Sequence, residues 1–423
     1  MNILVISNAA WDDTNSSGNT YSNLFGNWDG VSFHSMYSRE QLPSNSCCSS
    51  YYCVSPLNLI KNLLTPWKIG REFSQCEIKD QNTSFQTEQK AKSIEEGRIR
   101  SILLMMMEFL YLSGVWINKR TKNYIKKCNP EVVVMTGIAE AYRYKLAKYI
   151  KRNYNVKLVT YIVDDTYHTE KNSKTFLGWL RSKRYKRIFE MSDKVYGISQ
   201  PMCDAYSKEF GCEVSLLHKG CELCAPRTDV NKPIEIVYAG NLMYGRDDIL
   251  DKLALSLQSI NTSEIKAVLR IYTGTTITDD IDSKLNLGES SQIAGAKPYD
   301  DIKKIMKHAD VVLHVESFEP DQMKLVRYSF STKITDCMQS GSVMMAIGPS
   351  GIASIEYSKQ IPGSIVVDDL NKLEYELKGI VDNPESLVGR AKMINDYAKT
   401  HFEIGMVRSR LQNEIKLLVN GKS

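Results

Sequence analysis

The chain of 423 residues lacks long apolar runs, internal repeats and low-complexity tracts. Its most apolar stretch, residues 102–116, is too short to span a bilayer comfortably and is interrupted by Glu108. No basic leader or cleavage site precedes the strand-like run Ile3–Ile6, so we expect the chain to stay in the cytosol with its ten cysteines reduced. These absences, with 43% hydrophobic residues, favour a soluble chain of two or three domains.

Several binding patterns are also missing. No helix-turn-helix, zinc-finger or aromatic RNA-binding pattern is present, which argues against nucleic acid as a partner. Cys221 and Cys224 have metal-like spacing, but no second pair of that spacing accompanies them, so a zinc site is disfavoured. The loop Ser16–Thr20 has one glycine, whereas a dinucleotide-binding fingerprint needs three.

Positive charge is concentrated in one region. The whole chain has 54 basic and 49 acidic residues, whereas residues 98–187 hold 20 Lys or Arg and only six Asp or Glu. Such a region attracts polyanions or an anionic membrane surface. Residues 102–116 lie inside it and predict either a buried helix with solvated charged ends or an interfacial helix at the inner leaflet.

Apolar runs of strand length alternate with amphipathic stretches of helix length, which predicts an α/β chain with parallel sheets covered on both faces. We place a domain boundary at the polar stretch Ala225–Asp229, giving domains 1–224 and 225–401, and predict a terminal helix over Phe402–Leu418. The predicted strands are Ile3–Ser7, Val132–Thr136, Leu158–Val163, Lys194–Ile198, Val214–Leu217, Ile234–Tyr238, Ala267–Tyr272, Val311–Val315, Val343–Ile347 and Ile365–Val367.

The segment Tyr328–Gly348 carries the strongest functional signal. A helix that opens on Ser331, Thr332 and Lys333 offers unpaired N–H groups, a positive dipole end, hydroxyls and an ammonium, all suited to phosphate. Asp336, one turn later, is an acceptor suited to sugar hydroxyls. The combination suggests a nucleotide sugar as ligand.

The alternative interpretation is an ordinary helix cap followed by a solvated lysine. The sequence that follows favours the phosphate site, because Gly341, the apolar run Val343–Ile347 and the turn Gly348–Gly351 give the helix, strand and glycine-rich turn of a Rossmann-like unit.

The segment resembles the signature of GT-B glycosyltransferases, in particular retaining sugar-nucleotide transferases of bacterial surface-polysaccharide pathways. The resemblance covers most of the chain and implies two Rossmann-like domains facing each other across a deep cleft, with the C-terminal helix 402–423 packing back on the first. It also implies that Asp336 takes the place of a ribose-binding glutamate. Tyr328 stands where the family has a second glutamate, and Glu316, Glu319 or Asp321 are candidates to replace it.

The resemblance extends to two glycine-containing loops expected over the donor. Gly18 and Asn19 follow the first strand, with a helix expected to begin near Tyr21. Gly240 and Asn241 follow the strand Ile234–Tyr238, and Arg246 comes shortly after them in the place of a diphosphate-contacting lysine. Such an arginine can clamp a diphosphate. The alternative for Arg246 is a surface ion pair with either of the two aspartates that follow it, Asp247 and Asp248.

Acceptor binding is expected at the end of the strand Leu158–Val163, where Asp164, Asp165 and His168 follow. Adjacent aspartates point to opposite faces of a strand and do not match a metal-binding D-x-D element. Because GT-B enzymes generally need no metal for donor binding, the resemblance implies a metal-independent enzyme without a cofactor. It also implies that Tyr272–Gly274 and Lys297–Tyr299 flank the nucleotide base.

The resemblance implies transfer of a sugar from a nucleotide-diphosphate donor, with retention, to a saccharide or lipid-linked saccharide during capsule, O-antigen or exopolysaccharide synthesis. Lys333 and Arg246 are expected to stabilise the departing diphosphate. The enzyme is expected in the cytoplasm, with the basic region 98–187 as a contact for the inner face of the membrane. Three alternatives stay open: a sugar-nucleotide 2-epimerase, a phosphorylase-like enzyme using pyridoxal phosphate, and a catalytically inactive GT-B scaffold module.

Overall fold

A computed structural model describes residues 1–12, 16–40, 42–74, 98–137 and 139–421. The contacts within the chain divide it into two compact units. The first unit comprises Met1–Leu217 with Arg408–Ser423, and the second comprises His218–Val407. Residues 218–224, which the sequence prediction assigns to the first domain, group with the second unit.

The first unit contains an eight-stranded sheet with the strand order β4-β3-β2-β1-β5-β6-β7-β8. Neighbouring strands are parallel except β3 and β4, which are antiparallel. The strands are β1 (Asn2–Ser7), β2 (Ser32–Tyr37), β3 (Ser50–Cys53), β4 (Arg71–Ser74), β5 (Val132–Thr136), β6 (Lys157–Ile162), β7 (Lys194–Gly197) and β8 (Val214–Leu216).

The second unit contains a six-stranded, fully parallel sheet with the order β11-β10-β9-β12-β13-β14. From β9 the chain adds β10 and β11 on one side of the sheet and then β12, β13 and β14 on the other. In doubly wound sheets, ligands bind at such a switch point, beyond the carboxyl ends of the strands. The strands are β9 (Ile234–Ala239), β10 (Ala267–Tyr272), β11 (Ser291–Ile293), β12 (Val311–Val315), β13 (Val343–Ile347) and β14 (Ile365–Val367).

Helices connect the strands in both units. In the first unit they are α1 (Ser16–Phe25), α2 (Pro56–Lys61), α3 (Arg98–Ser113), α4 (Lys119–Cys128), α5 (Ala141–Asn153), α6 (Thr166–Asn172), α7 (Phe176–Met191) and α8 (Gln200–Phe210). Those after β8 are α9 (Arg246–Ile260), α10 (Asp279–Leu285), α11 (Tyr299–His308), α12 (Pro320–Val326), α13 (Thr332–Ser340), α14 (Ala353–Ser358), α15 (Leu373–Asp382), α16 (Ser386–His401) and α17 (Ile404–Val419).

The ten strands predicted from sequence are confirmed, each within one residue of its predicted bounds. Their apolar runs are buried along their length, as in β12 and β13, where every residue is buried. A sheet covered on both faces requires such continuous runs. The prediction missed β2, β3, β4 and β11, because their sequences mix serine, histidine, arginine or glutamine with apolar residues.

The terminal helix begins two residues later than predicted, at Ile404. Phe402 instead follows α16 as its C-terminal cap and is fully buried, so its apolar side chain belongs to the core of the second unit. Further along α17, the Arg408 guanidinium donates hydrogen bonds of 3.0 and 2.7 Å to the carbonyl oxygens of Ser22 and Asn23 in α1. These bonds attach the end of the chain to the first unit.

Helix α3 lies in the predicted apolar stretch and has two distinct faces. Its Glu108 is buried and forms ion pairs of 2.7 and 2.6 Å with Arg181 and Arg184 of α7. Met106 and Phe109 are exposed on the other face. Among the helices of the described ranges, none has both the length and the apolar character needed to cross a bilayer.

Candidate functional site

The N-terminus of α13 is formed as the sequence predicts. Ser331 is the N-cap residue, and its hydroxyl accepts a hydrogen bond of 3.4 Å from the backbone N–H of Lys333. Thr332 is exposed in the first turn, which contains no acidic residue. The positive end of the helix dipole therefore has no carboxylate within the same turn to neutralise it.

Lys333 extends from this helix end across the carboxyl end of β9. Its ammonium nitrogen lies 3.5 Å from the hydroxyl oxygen of Tyr238 and 5.0 Å from the centre of that ring. A Cβ atom at Gly240 would lie only 2.0 Å from the Lys333 Nζ atom, so the missing side chain is what admits the lysine. Burial, with repulsion from Arg246, lowers the pKa of Lys333 to about 8.

Arg246 is held on three sides at the start of α9. Its guanidinium donates 3.0 Å to the carbonyl oxygen of Val315, 2.7 Å to the Asn241 side-chain oxygen and 3.0 Å to the Glu316 carboxylate. The sequence alternative for Arg246, a surface ion pair with an aspartate that follows it in the chain, is not what the structure contains. With three fixed bonds, the guanidinium keeps one orientation.

Glu316 lies at the end of β12 and is only 5% exposed. One carboxylate oxygen binds Arg246, and the other lies 3.6 Å from Nε2 of the fully buried His314. Burial is the main reason that the pKa of His314 falls to about 4, so this ring is neutral at physiological pH. Glu316, one of the three carboxylates that the sequence offers for donor binding, is therefore already paired with Arg246.

A pocket of about 650 Å³ lies along α13, and we call it the α13 pocket. It is bounded by the carboxyl ends of β9 and β10 and by one face of α11 and α13. Such a volume falls within the usual range for small-molecule sites. Residues that carry polar or aromatic groups or main chain into it include Gly240, Tyr272, Thr273, Gly274, Lys297, Tyr299, Lys303, Thr332, Lys333 and Asp336.

Asp336 lies on the wall of the α13 pocket, one turn after the helix start. Its carboxylate lies 3.4 Å from the Tyr299 hydroxyl and 3.7 Å from the Lys219 ammonium. Burial raises the pKa of Asp336, against the effect of the nearby lysine. The Asp336 carboxylate and the Lys333 ammonium thus border the same pocket. The carboxylate can accept hydrogen bonds from hydroxyl groups, and the ammonium can bind an anion.

In the first unit, two of the three predicted acceptor residues, Asp165 and His168, already have structural partners. Asp165 is buried and caps α6, accepting hydrogen bonds from the His168 backbone N–H at 3.3 Å and the Tyr206 hydroxyl at 2.8 Å. The His168 ring nitrogen Nδ1 lies 2.7 Å from the same carboxylate. Asp164 is exposed beside them. Asp164 is therefore the carboxylate of this group that is open to a ligand.

The loop predicted at Ser16–Thr20 is wrong, because α1 already begins at Ser16 and includes Gly18 and Asn19. A Cβ atom at Gly18 would lie 1.6 Å from the carbonyl oxygen of Asp12. The glycine thus permits a close backbone approach, as the sequence suggested, but the neighbour in the structure is the chain's own backbone. Small polar residues occur both in loops and in the first turn of a helix, so the sequence pattern did not distinguish the two.

Sequence reasoning missed His314, Tyr238 and Lys219 as neighbours of the site. His314 could have been noticed, since it is the one polar residue in the apolar run of β12. Tyr238 and Lys219 are far from α13 in sequence, and only the folded chain brings them to this helix. Within the described residues, no group of three or more His, Cys, Asp or Glu side chains is arranged to hold a metal ion.

Comparison with known proteins gives similarity in structure but not in sequence. No protein-family model matches the sequence of the chain, and no curated protein sequence matches it. The sucrose-phosphate synthase of Thermosynechococcus elongatus is similar in structure over 99% of both chains, with a TM-score of 0.62 and 12% identity. Anabaena HepE in complex with UDP matches over 98% of this chain and 100% of its own, with a TM-score of 0.61 and 10% identity.

The UDP-forming α,α-trehalose-phosphate synthase of Burkholderia xenovorans, solved with glucose-6-phosphate, is a third similar structure. It covers 98% of this chain and 100% of its own, with a TM-score of 0.59 and 9% identity. These proteins are GT-B glycosyltransferases, and the match extends over nearly the whole of each chain. The predicted fold class is confirmed: the chain has the GT-B fold, with two Rossmann-like units.

Proposed function

From the GT-B fold of the chain, we propose that the protein is a retaining glycosyltransferase. It moves a sugar from a nucleotide-diphosphate donor to a saccharide or lipid-linked saccharide in capsule, O-antigen or exopolysaccharide synthesis. The observation that carries the proposal is Lys333, a partly buried ammonium at a helix N-terminus on the wall of the α13 pocket, with the fixed Arg246 close enough to lower its pKa. Two neighbouring cations of this kind suit a diphosphate.

The candidate site residues of the second unit have the following roles in this proposal. The N-terminus of α13, with Ser331, Thr332 and Lys333, binds the diphosphate and stabilises its charge as it departs. Asp336 accepts hydrogen bonds from the ribose, while Gly240 admits Lys333. The nucleotide base lies near Tyr272–Gly274. UDP is the first nucleotide to test, because one similar protein was solved with UDP and another is named as UDP-forming.

The first unit supplies the acceptor side of the proposal. Asp164 binds acceptor hydroxyls, and His168 is oriented by Asp165. The basic region 98–187 brings the enzyme to the anionic inner face of the membrane. We further propose that no metal is needed, which full activity in a chelating buffer would support and loss of activity would contradict.

The test is to incubate the protein with a panel of nucleotide sugars, with and without saccharide acceptors, and to follow the sugar signals by NMR. A retaining transferase releases the nucleoside diphosphate and forms a glycoside with the donor's anomeric configuration. An inverted product would contradict retention.

The same assay separates the alternative functions. A sugar-nucleotide 2-epimerase would change the donor's sugar or release it without any acceptor, and a phosphorylase would require free phosphate and pyridoxal phosphate. Binding of a nucleotide without any turnover, across the full acceptor panel, would favour the inactive scaffold.

A further inference from the structure

A second basic site lies in the first unit, beside an unusual concentration of exposed apolar side chains. Residues 57–67, which we call the apolar segment, run from α2 through a short turn of 3₁₀ helix. Leu64 is 92% exposed and Trp67 is 60% exposed. The large apolar residues exposed within this segment are Leu57, Ile60, Leu63, Leu64 and Trp67. Soluble surfaces rarely expose apolar residues at this density without a partner.

The apolar segment is fixed in place by buried and hydrogen-bonded neighbours. Leu59 is fully buried and anchors α2. The Asn118 side-chain amide at the start of α4 donates 2.6 and 2.9 Å to the carbonyl oxygens of Pro66 and Ile69. The backbone N–H of Gly70 donates 2.8 Å to the Asn58 side chain. These contacts therefore fix the backbone that carries the exposed apolar side chains.

A pocket of about 490 Å³ opens directly beside this segment, and we call it the open basic pocket. Arg120, Asn123 and Lys127 line it from one face of α4, while Lys68, Arg71 and Glu72 line it from the other side. Glu72 pairs with Lys127 at 2.6 Å, so the remaining cations give the pocket its positive charge. Arg120 also donates 3.2 Å to the carbonyl oxygen of Lys68, which joins the two walls. Residues 56–72 and 119–128 together contain eight Lys or Arg and a single acidic residue, Glu72.

We propose that the apolar segment and the open basic pocket form one membrane-docking surface for anionic phospholipid. The apolar side chains enter the interface between headgroups and acyl chains, where a tryptophan is favoured, and the pocket binds a lipid phosphate. Charge complementarity selects this occupant, because a second copy of the chain would oppose one strongly basic face with another. The inference rests on the proposed membrane association of the basic region 98–187, which contains Arg120, Asn123 and Lys127, but not on the proposed catalytic function.

The test measures binding of the full chain to phosphatidylcholine vesicles with and without phosphatidylglycerol, by sedimentation and tryptophan fluorescence. We expect binding only with the anionic lipid. Leu64→Gln should weaken it about tenfold, and Lys68→Gln with Arg120→Gln about thirtyfold. Tyr375→Gln, at an exposed aromatic position of α15 that is 76% accessible, should leave it unchanged.

Two tryptophans distinguish this surface from the neighbouring basic helices. Trp67 and Trp179 of α7 are exposed, whereas the other three tryptophans are buried. A blue shift on vesicle binding should disappear in Trp67→Phe and persist in Trp179→Phe. The reverse result would move the contact to α7 and overturn the proposal.

Other outcomes would also overturn it. Equal binding to both kinds of vesicle would remove the phosphate contact. Binding of soluble glycerol phosphate in the pocket without vesicle binding would assign the pocket to a free phosphate compound. A dimer that dissociates in Leu64→Gln, again without vesicle binding, would assign the apolar segment to a second copy of the chain.

Discussion

The α13 pocket and the open basic pocket both use Lys and Arg, but they expose them to water very differently. In the α13 pocket, Lys333 is partly buried, packs on Tyr238 and has a pKa lowered to about 8. In the open basic pocket, Lys68, Arg120 and Lys127 are exposed. Desolvated charges interact strongly with a bound ion, whereas exposed charges are screened by water and salt.

This difference indicates two kinds of binding. We expect the first pocket to concentrate its binding in a few positioned groups, so single substitutions should have large effects. We expect the second to spread its binding over many solvated cations and apolar side chains, so each should contribute little and salt should matter more. The five predictions below follow from this contrast, in order of decreasing effect.

Lys333→Ala should reduce glycosyl transfer by about a hundredfold or more, because it removes a positioned charge from the departing diphosphate. Steady-state turnover with the best donor measures the effect. The matched control is Lys324→Ala on α12, an exposed lysine paired with Asp321 at the surface. An unchanged rate in Lys333→Ala, with the fold intact by circular dichroism, would remove this lysine from the site.

Glu316→Gln should lower kcat about thirtyfold, because a neutral amide holds the Arg246 guanidinium less firmly than the carboxylate 3.0 Å away. The KM for the donor should change much less, since the ground-state contacts remain. If Glu316 instead binds the donor directly, KM should rise with little change in kcat.

Gly240→Ala should weaken diphosphate binding about tenfold, because the new methyl group would occupy the place of the Lys333 ammonium, 2.0 Å away. Gly274→Ala is the matched control in the same pocket, since a Cβ atom there meets nothing within 4 Å. Calorimetry of both variants measures the difference. Equal losses of affinity in the two variants would show that Gly240 is not needed to make room for the Lys333 side chain.

Diphosphate affinity should fall as pH rises through 8, by up to about tenfold per pH unit. The sign follows from Lys333: its pKa is lowered to about 8, so it is charged below that value and neutral above it, and only the charged form attracts phosphate. The ligand's own titration is common to native protein and Lys333→Met, so the difference between their pH profiles isolates the lysine. Parallel profiles would contradict this assignment.

Salt should affect the two pockets unequally. Raising ionic strength from 0.1 to 1 M shortens the screening length from about 10 to about 3 Å, which should abolish vesicle binding but weaken diphosphate binding only several-fold. Sedimentation and calorimetry at matched salt test this. Equal sensitivity would show that the two sites do not differ in solvation.

The sequence predicted those strands whose residues all meet one local requirement, burial on both faces of the sheet. β12 and β13 are buried on both faces, so they need continuous apolar runs that are visible in the chain. β2 and β3 lie in the same kind of sheet but include Ser, His and Tyr side chains, several of which are hydrogen-bonded to residues elsewhere in the unit. One example is the 2.8 Å contact between His34 and Ser50. No local pattern reveals that such polar groups will be satisfied.

The sequence pointed to residues of the candidate site but revealed few of the contacts between them. The start of α13 follows from local capping chemistry and was found. The partner of Arg246 was not, because Glu316 is 70 positions away whereas aspartates adjacent in sequence offered a plausible pair. Asp165 shows the opposite case: its place just before α6 is a helix-cap position that the sequence itself displays, and the cap uses its carboxylate.

The central claim is that the α13 pocket binds a nucleoside diphosphate through Lys333. The most direct measurement is thermal stabilisation of the native chain and Lys333→Ala by UDP, GDP, ADP, TDP and CMP in chelating buffer. We predict stabilisation of the native chain by one diphosphate and its loss in the variant, with Lys324→Ala behaving as native. No stabilisation of folded native protein by any of these nucleotides, or equal stabilisation of Lys333→Ala, would contradict the claim.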